Sequence, residues 1–330
     1  MHTLTHIEIK MKKLSIALSL IAATLFMACS GNKKADTNGT ANDSITASKD
    51  SAQRYVEEED KTDYSKFAAQ PTRIDTTIGD WEIHLREVYD GKSIKSTDLT
   101  FADYSLKVNI YKGGKPVFKN HVISSKSIAG SNYNKNATIS IFDNVFATET
   151  TVYLSLTYGQ PQSEEFNTYT MVFDTNKQVR KFPVTAFAPE GEWDTYIFDL
   201  YNFYGMYVNE LSQPQPNTAS IQKVLNRYCT KGFAQKMQSH TIKNNPLLGS
   251  GKFDFQWLRS LVVHSKDAQS NACIVHYQTP DGKKTYKRLQ LQKKPKSEDE
   301  FIISAVSNAT EEDLPQAQGS EEEYAEGNEI

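Results

Sequence analysis

Cys29, Cys229 and Cys273 are the three thiols of a 330-residue chain, and each could attack, ligate or carry a covalent group. A thiol does the first two only beside a base, a cation or further ligands at short spacing. Joining His264 to Cys229 and Cys273 gives only three dispersed ligands, without closely spaced motifs. His84, in WEIHLRE, and His121, at the start of a strand, read as solvated strand histidines with no carboxylate or cysteine at ligand spacing. Asp75, Asp80, Asp90, Asp98 and Asp103 are too scattered for a calcium loop. Asp254, His264 and His276 are the acid–base candidates. Strand alternation places His264 on the face of Cys273 and His276 on the opposite one, which parts the two imidazoles. No G-x-S-x-G, H-E-x-x-H or phosphate-loop pattern occurs. The residue types therefore point away from an enzyme, and no cofactor or metal is expected.

Cys29 stands apart because of what precedes it. From Met11 the chain reads MKKLSIALSLIAATLFMACS: Lys12 and Lys13, then an apolar stretch from Leu14 to Ala28. A basic start and an apolar run shorter than the roughly 20 residues of a membrane span define an export signal. Translation is expected to begin at Met11. Phe26-Met27-Ala28-Cys29 resembles a bacterial lipobox, with Phe26 and Met27 departing from the usual Leu and small residue. Loose forms of this kind resemble those of Bacteroidota lipoproteins. That resemblance implies acylation of Cys29 and membrane lipid as its first partner; the alternative is ordinary cleavage after Ser30. It also implies an outer-membrane address, with the periplasmic face favoured over the cell surface. In such an oxidising compartment Cys229 and Cys273 are either disulfide-bonded or two buried free thiols.

The elements that would position any chemistry follow from patterning. Residues 1–28 form the signal, and 29–70, rich in Ser, Thr, Asn, Asp and Lys, form a flexible tether. Between 71 and 190, short alternating runs separated by turn residues predict an all-β domain, a sandwich or open barrel of about six to eight strands. Leu106, Val108 and Ile110 alternate with polar neighbours, as do Val152, Leu154, Leu156 and Tyr158 in TVYLSLTY, predicting one buried and one wet face. Gly113-Gly114 and Asp281-Gly282 mark hairpin turns.

Residues 191–217 hold EGEWDTYIFDLYNFYGMYVNEL and a Pro-rich linker. The spacing predicts a helix apolar on two sides, either wedged between domains or exposing Trp193, Tyr196, Tyr204 and Tyr207 as a stacking surface. Over 218–308 a helix capped at Thr218, then three strands, SLVVHS, NACIVHYQT and TYKRLQLQK, and a closing EFIISAV predict an α+β layer. RYCTKGFAQKM (Arg227 to Met237), FDFQWL around Asp254 and Trp257, a strand ending V-H-Y and the closing FIISAV resemble a domain-of-unknown-function family with a nuclear-transport-factor-2-like cone fold. The resemblance covers about a third of the chain and implies a cone-like hollow. Relatives use such a hollow for a ligand or for catalysis, or use the surface for pairing. Asp254 and Trp257 would line it, and a hydrolase or isomerase there is the alternative to a binding role.

Charge excludes one partner class. The net charge of −3 conceals a tail, 309–330, whose last twenty residues hold eight acids and no Lys or Arg. The tail is expected to be disordered, and no basic patch interleaved with aromatics occurs elsewhere, so nucleic acid is excluded. Protein, glycan or small-molecule partners remain.

Overall fold

The computed structural model describes residues 60–96, 98–163, 166–184, 195–238, 245–249, 255–264, 271–279, 281–295 and 300–314. The signal segment with Cys29, most of the tether, Trp193, Asp254 and the acidic tail beyond 314 lie outside the described residues.

Two four-stranded antiparallel meanders open the fold. The first contains β1 (Arg73–Ile78), β2 (Trp81–Ser96), β3 (Leu99–Lys112) and β4 (Lys115–Ser124) in that order. A primed-type turn joins β3 to β4 because Gly113 and Gly114 both take positive φ, 55° and 74°, where a Cβ would be strained. A short helix, α1 (Ser125–Ala129), starts with reciprocal Ser124 and Ser127 caps. It leads to β5 (Thr138–Ala147), β6 (Thr151–Gly159), β7 (Phe166–Asp174) and β8 (Val179–Val184), again in sequential order.

The two meanders enclose one core. Ile83, Leu85, Leu106, Val108 and Ile110 from the first meet Ile139, Leu154, Leu156 and Phe173 from the second. Glu87 on β2 ties the sheets: its buried carboxylate accepts the N–H of Thr72 at 2.7 Å and of Ile141, on β5, at 2.8 Å. Two backbone donors to one carboxylate give back part of its desolvation cost, yet burial still holds the carboxyl above its ordinary range.

The second meander departs from the expectation of one wet face. Tyr153 and Val172, along with Phe182 and Val184, point away from the first core and are buried all the same. What covers them is α2 (Thr195–Leu211), the aromatic helix. From Tyr196 to Leu211 only Phe198 and Asp199 are not fully buried. Gly205 is required at the closest approach, since a Cβ there would sit 2.2 Å from the Phe182 ring.

On its other side α2 packs against an α+β layer. α3 (Thr218–Tyr228) is capped by Asn217, whose side chain accepts the Ser220 N–H, rather than by Thr218 as the sequence predicts. The helical pattern of RYCTKGFAQKM breaks at Cys229-Thr230, and α4 (Lys231–Gln238) starts anew. At the break the chain pairs with the third sheet, Thr230 donating its N–H to Ile303 at 2.8 Å. That sheet is antiparallel in the order β12 (Phe301–Ala309), β11 (Lys284–Lys293), β10 (Ala272–Gln278) and β9 (Val262–Val263). Gly282, φ 82°, turns β10 into β11, as Asp281-Gly282 predicts.

Candidate functional site

The residues singled out from sequence are mostly interior. Tyr196, Tyr204 and Tyr207 are 1%, 1% and 2% exposed, so they form no stacking surface. The wedged position of α2 removes them from solvent: Phe203 stacks on Tyr207 at 5.4 Å, and Tyr204 meets Tyr277 at 6.2 Å between ring centres. Trp257 is also buried and lies parallel to Tyr277 at 5.6 Å. With Phe233, Leu247, Leu258, Leu289 and Ile303 it fills the space between helices and third sheet. Trp193 and Asp254 fall outside the described residues.

Cys229 and Cys273 are buried free thiols, so the disulfide is not formed. Burial pushes both thiols up, Cys273 to about 12 and Cys229 further, which leaves neither as a thiolate at neutral pH.

Two histidine readings are corrected. His264 and His276 do meet, Nε2 of the first lying 2.8 Å from Nδ1 of the second. The cause is register: Val262 pairs with His276, and His264 donates its N–H to Ile274 at 2.9 Å. His264 thus shares a face with His276, while Cys273 turns into the core. Burial lowers both imidazoles, helped at His264 by His276 and at His276 by Lys284. His84 has carboxylate partners after all. Asp75, opposite it on β1, lies 2.6 Å from Nδ1, and Glu82 lies 2.9 Å from Nε2.

A buried polar cluster at the end of α2 was not legible in the sequence. Glu210, at the end of α2, is fully buried and accepts hydroxyls from Thr148 at 2.9 Å, Thr150 at 3.2 Å and Tyr153 at 2.7 Å. Asn209 completes it by donating to the Tyr153 hydroxyl at 2.7 Å. This cluster is closed to ligands.

An open groove of about 610 Å³ lies where α2, α3 and the β11–β12 end meet. Phe198 and Asp199 reach it because they occupy the one side of α2 that neither sheet covers. α3 contributes Asn226, Arg227 and Tyr228, and the strand ends contribute Lys294, Glu300, Phe301 and Ile302. Lys294 and Glu300 are an ion pair. The Arg227 guanidinium is fixed from behind: Nη2 donates to Asn144 at 2.9 Å, and the group stacks over Phe146 at 4.9 Å and Tyr228 at 5.4 Å.

Asp199 is the unusual member. Burial raises its carboxyl from 3.8 to about 6, with Glu300 adding to the rise while Arg227 and Lys294 oppose it. No described residue donates a hydrogen bond to its carboxylate, which leaves acceptor capacity at the groove. A hollow of about 580 Å³ beside Tyr64, Arg86 and Tyr89 differs in this respect. There Asp60 takes the Tyr64 hydroxyl, and Glu87 is spent on two backbone donors. The sequence holds one signal for Asp199, an acid in the aromatic-rich first half of α2, but nothing in it tells which side of α2 stays open.

No family model matches the chain, and comparison with curated proteins gives no match.

Proposed function

We propose that the protein is a lipid-anchored envelope protein, held to the outer membrane through acylated Cys29 with its folded part facing the periplasm. The folded part acts as a non-enzymatic binding module. The anchor reading rests on Lys12, Lys13, the apolar run to Ala28 and the polar stretch after Cys29. Several acyl chains, at about 0.8 kcal/mol per buried methylene, give attachment that does not reverse on the time of a purification. No helix among the described residues is long and apolar enough to cross a membrane.

One observation carries the binding reading. The space between helices and third sheet, where a cone-like fold would keep its hollow, is occupied by Trp257, Tyr277, Phe233 and Leu289. Accessible chemistry then sits in the surface groove at Asp199. The cone resemblance remains a reading of the α+β layer: helices leaning on a curved sheet, here with a packed interior.

A second reading, a hydrolase, is favoured by the Asp199 carboxyl at about 6, a value suited to a general acid near neutral pH. Fractionation of cells producing the wild type and Cys29→Ala tests the anchor. Wild type is expected in the detergent-extracted membrane and Cys29→Ala in the soluble envelope fraction; wild type in the soluble fraction would overturn the reading.

A further inference from the structure

We propose that the groove between α2, α3 and β12 binds a small zwitterion, its ammonium held by Asp199 and its carboxylate by Arg227. This deepens the binding-module reading and rests on it.

The charge inventory selects the ligand class. Among the described residues four charged side chains line the groove, Asp199 and Glu300 against Arg227 and Lys294, and Glu300 and Lys294 neutralise one another. Asp199 and Arg227 remain as one negative and one positive group. A lone cation would meet Arg227 and Lys294, and a lone anion would meet Asp199 and Glu300. A ligand carrying both charges satisfies both and leaves the groove neutral.

Bonding capacity agrees. The Asp199 carboxylate accepts no hydrogen bond from the described residues, whereas an ammonium brings three donors. A guanidinium has five donors in a planar fork suited to a carboxylate. Arg227 is oriented by Asn144 and by the two rings it covers, so its edge is positioned before any ligand arrives. Phe198, Phe301 and Ile302 supply apolar wall for a side chain, and about 610 Å³ suits a small molecule.

Two sources share this chemistry, free α-amino acids and short peptides, and calorimetry on the detergent-solubilised full chain separates them. The probes are L-leucine, the dipeptide leucyl-leucine, N-acetyl-leucine and leucine amide. One of the two zwitterions is expected to bind, and removing either charge is expected to weaken it about tenfold or more. Tighter binding of leucine assigns the groove to amino acids, and tighter binding of the dipeptide assigns it to peptides; both support the proposal. Asp199→Asn should abolish the preference for leucine over N-acetyl-leucine with the circular dichroism spectrum unchanged. Arg227→Gln, which removes the positive charge, should abolish the preference over leucine amide. Wild-type affinity should fall as pH drops below about 6, where Asp199 takes up its proton in the presence of Arg227, Lys294 and Glu300.

Equal affinity for all four probes, or binding of neither zwitterion at millimolar concentration, would overturn the zwitterion assignment. Retention of a different, uncharged ligand would then leave the binding-module reading standing without it. Cleavage of the dipeptide that is lost in Asp199→Asn would support the groove as the recognition site and overturn the non-enzymatic reading.

Discussion

Glu210 shows how much one side chain can hold. Its carboxylate gathers three hydroxyls from the β5–β6 turn and β6 onto the end of α2, those of Thr148 and Tyr153 being fully buried and that of Thr150 partly so. Glu210→Ala would strand those hydroxyls, and a loss of about 3 kcal/mol is expected in urea unfolding. Glu210→Gln keeps shape and one carbonyl, so it should cost less than half as much. Asp199 and the histidine pair act on stability through pH with opposite signs. Folded Asp199 keeps a proton to about 6 that an ordinary carboxyl releases near 3.8. Stability is therefore lost as pH rises through that window, by at most about 3 kcal/mol. Asp199→Asn should remove this slope in unfolding free energy measured from pH 4 to 7. His264 and His276 are lowered from 6.5, so the unfolded chain takes protons first and their contribution is lost as pH falls below that value. His276→Gln should flatten the acid limb, whereas an unchanged limb would remove the pair from the account.

Elements meet here at one narrow place. α2 approaches the second meander at Gly205, over the Phe182 ring. Gly205→Ala is expected to cost about 1–3 kcal/mol through overpacking, despite the better helix propensity of Ala. Phe182→Leu should recover part of that in the double variant, and simple additivity would show that the contact is not the cause. Turn chemistry such as Gly113-Gly114 and Asp281-Gly282 was legible in the sequence because a positive φ is a local demand. An all-β first part of about six to eight strands was legible because alternation and turn residues are local too; its arrangement as two four-stranded meanders was not. The register of β9 was not, since its two residues carry too little pattern to fix which face His264 takes. The burial of Tyr196, Tyr204 and Tyr207 was legible only as one of two outcomes, because a helix apolar on two sides does not say whether both sides find partners. Asp199 lay hidden for the same reason.

At the scale of the whole folded part, two hydrophobic cores share one sheet. Leu154, Leu156 and Phe173 belong to the first, and Tyr153, Val172 and Phe182 to the second. Neither core is complete without β5–β8, so unfolding should be a single transition. Trp81 lies in the first core and Trp257 in the second, each buried. Fluorescence from variants keeping only one of these tryptophans should give coincident denaturant midpoints; separate midpoints would mean the cores melt apart.

The doubly covered sheet also changes how β6 finds its place. A strand with one dry face is kept in step by water, because sliding by a residue would wet its apolar side chains. Around Tyr153 and Leu154 β6 has little such penalty: slid by one, it would offer Leu154 to α2 and Tyr153 to the first core, and both would stay dry. The polar groups on the Tyr153 face tell the right alignment from the wrong one: Ser155 and Thr157 would be driven into the first core, and the phenol of Tyr153 finds Glu210 and Asn209 only when the strand is in step. A polar contact in the interior thus serves as the key that a greasy lock could not provide for itself.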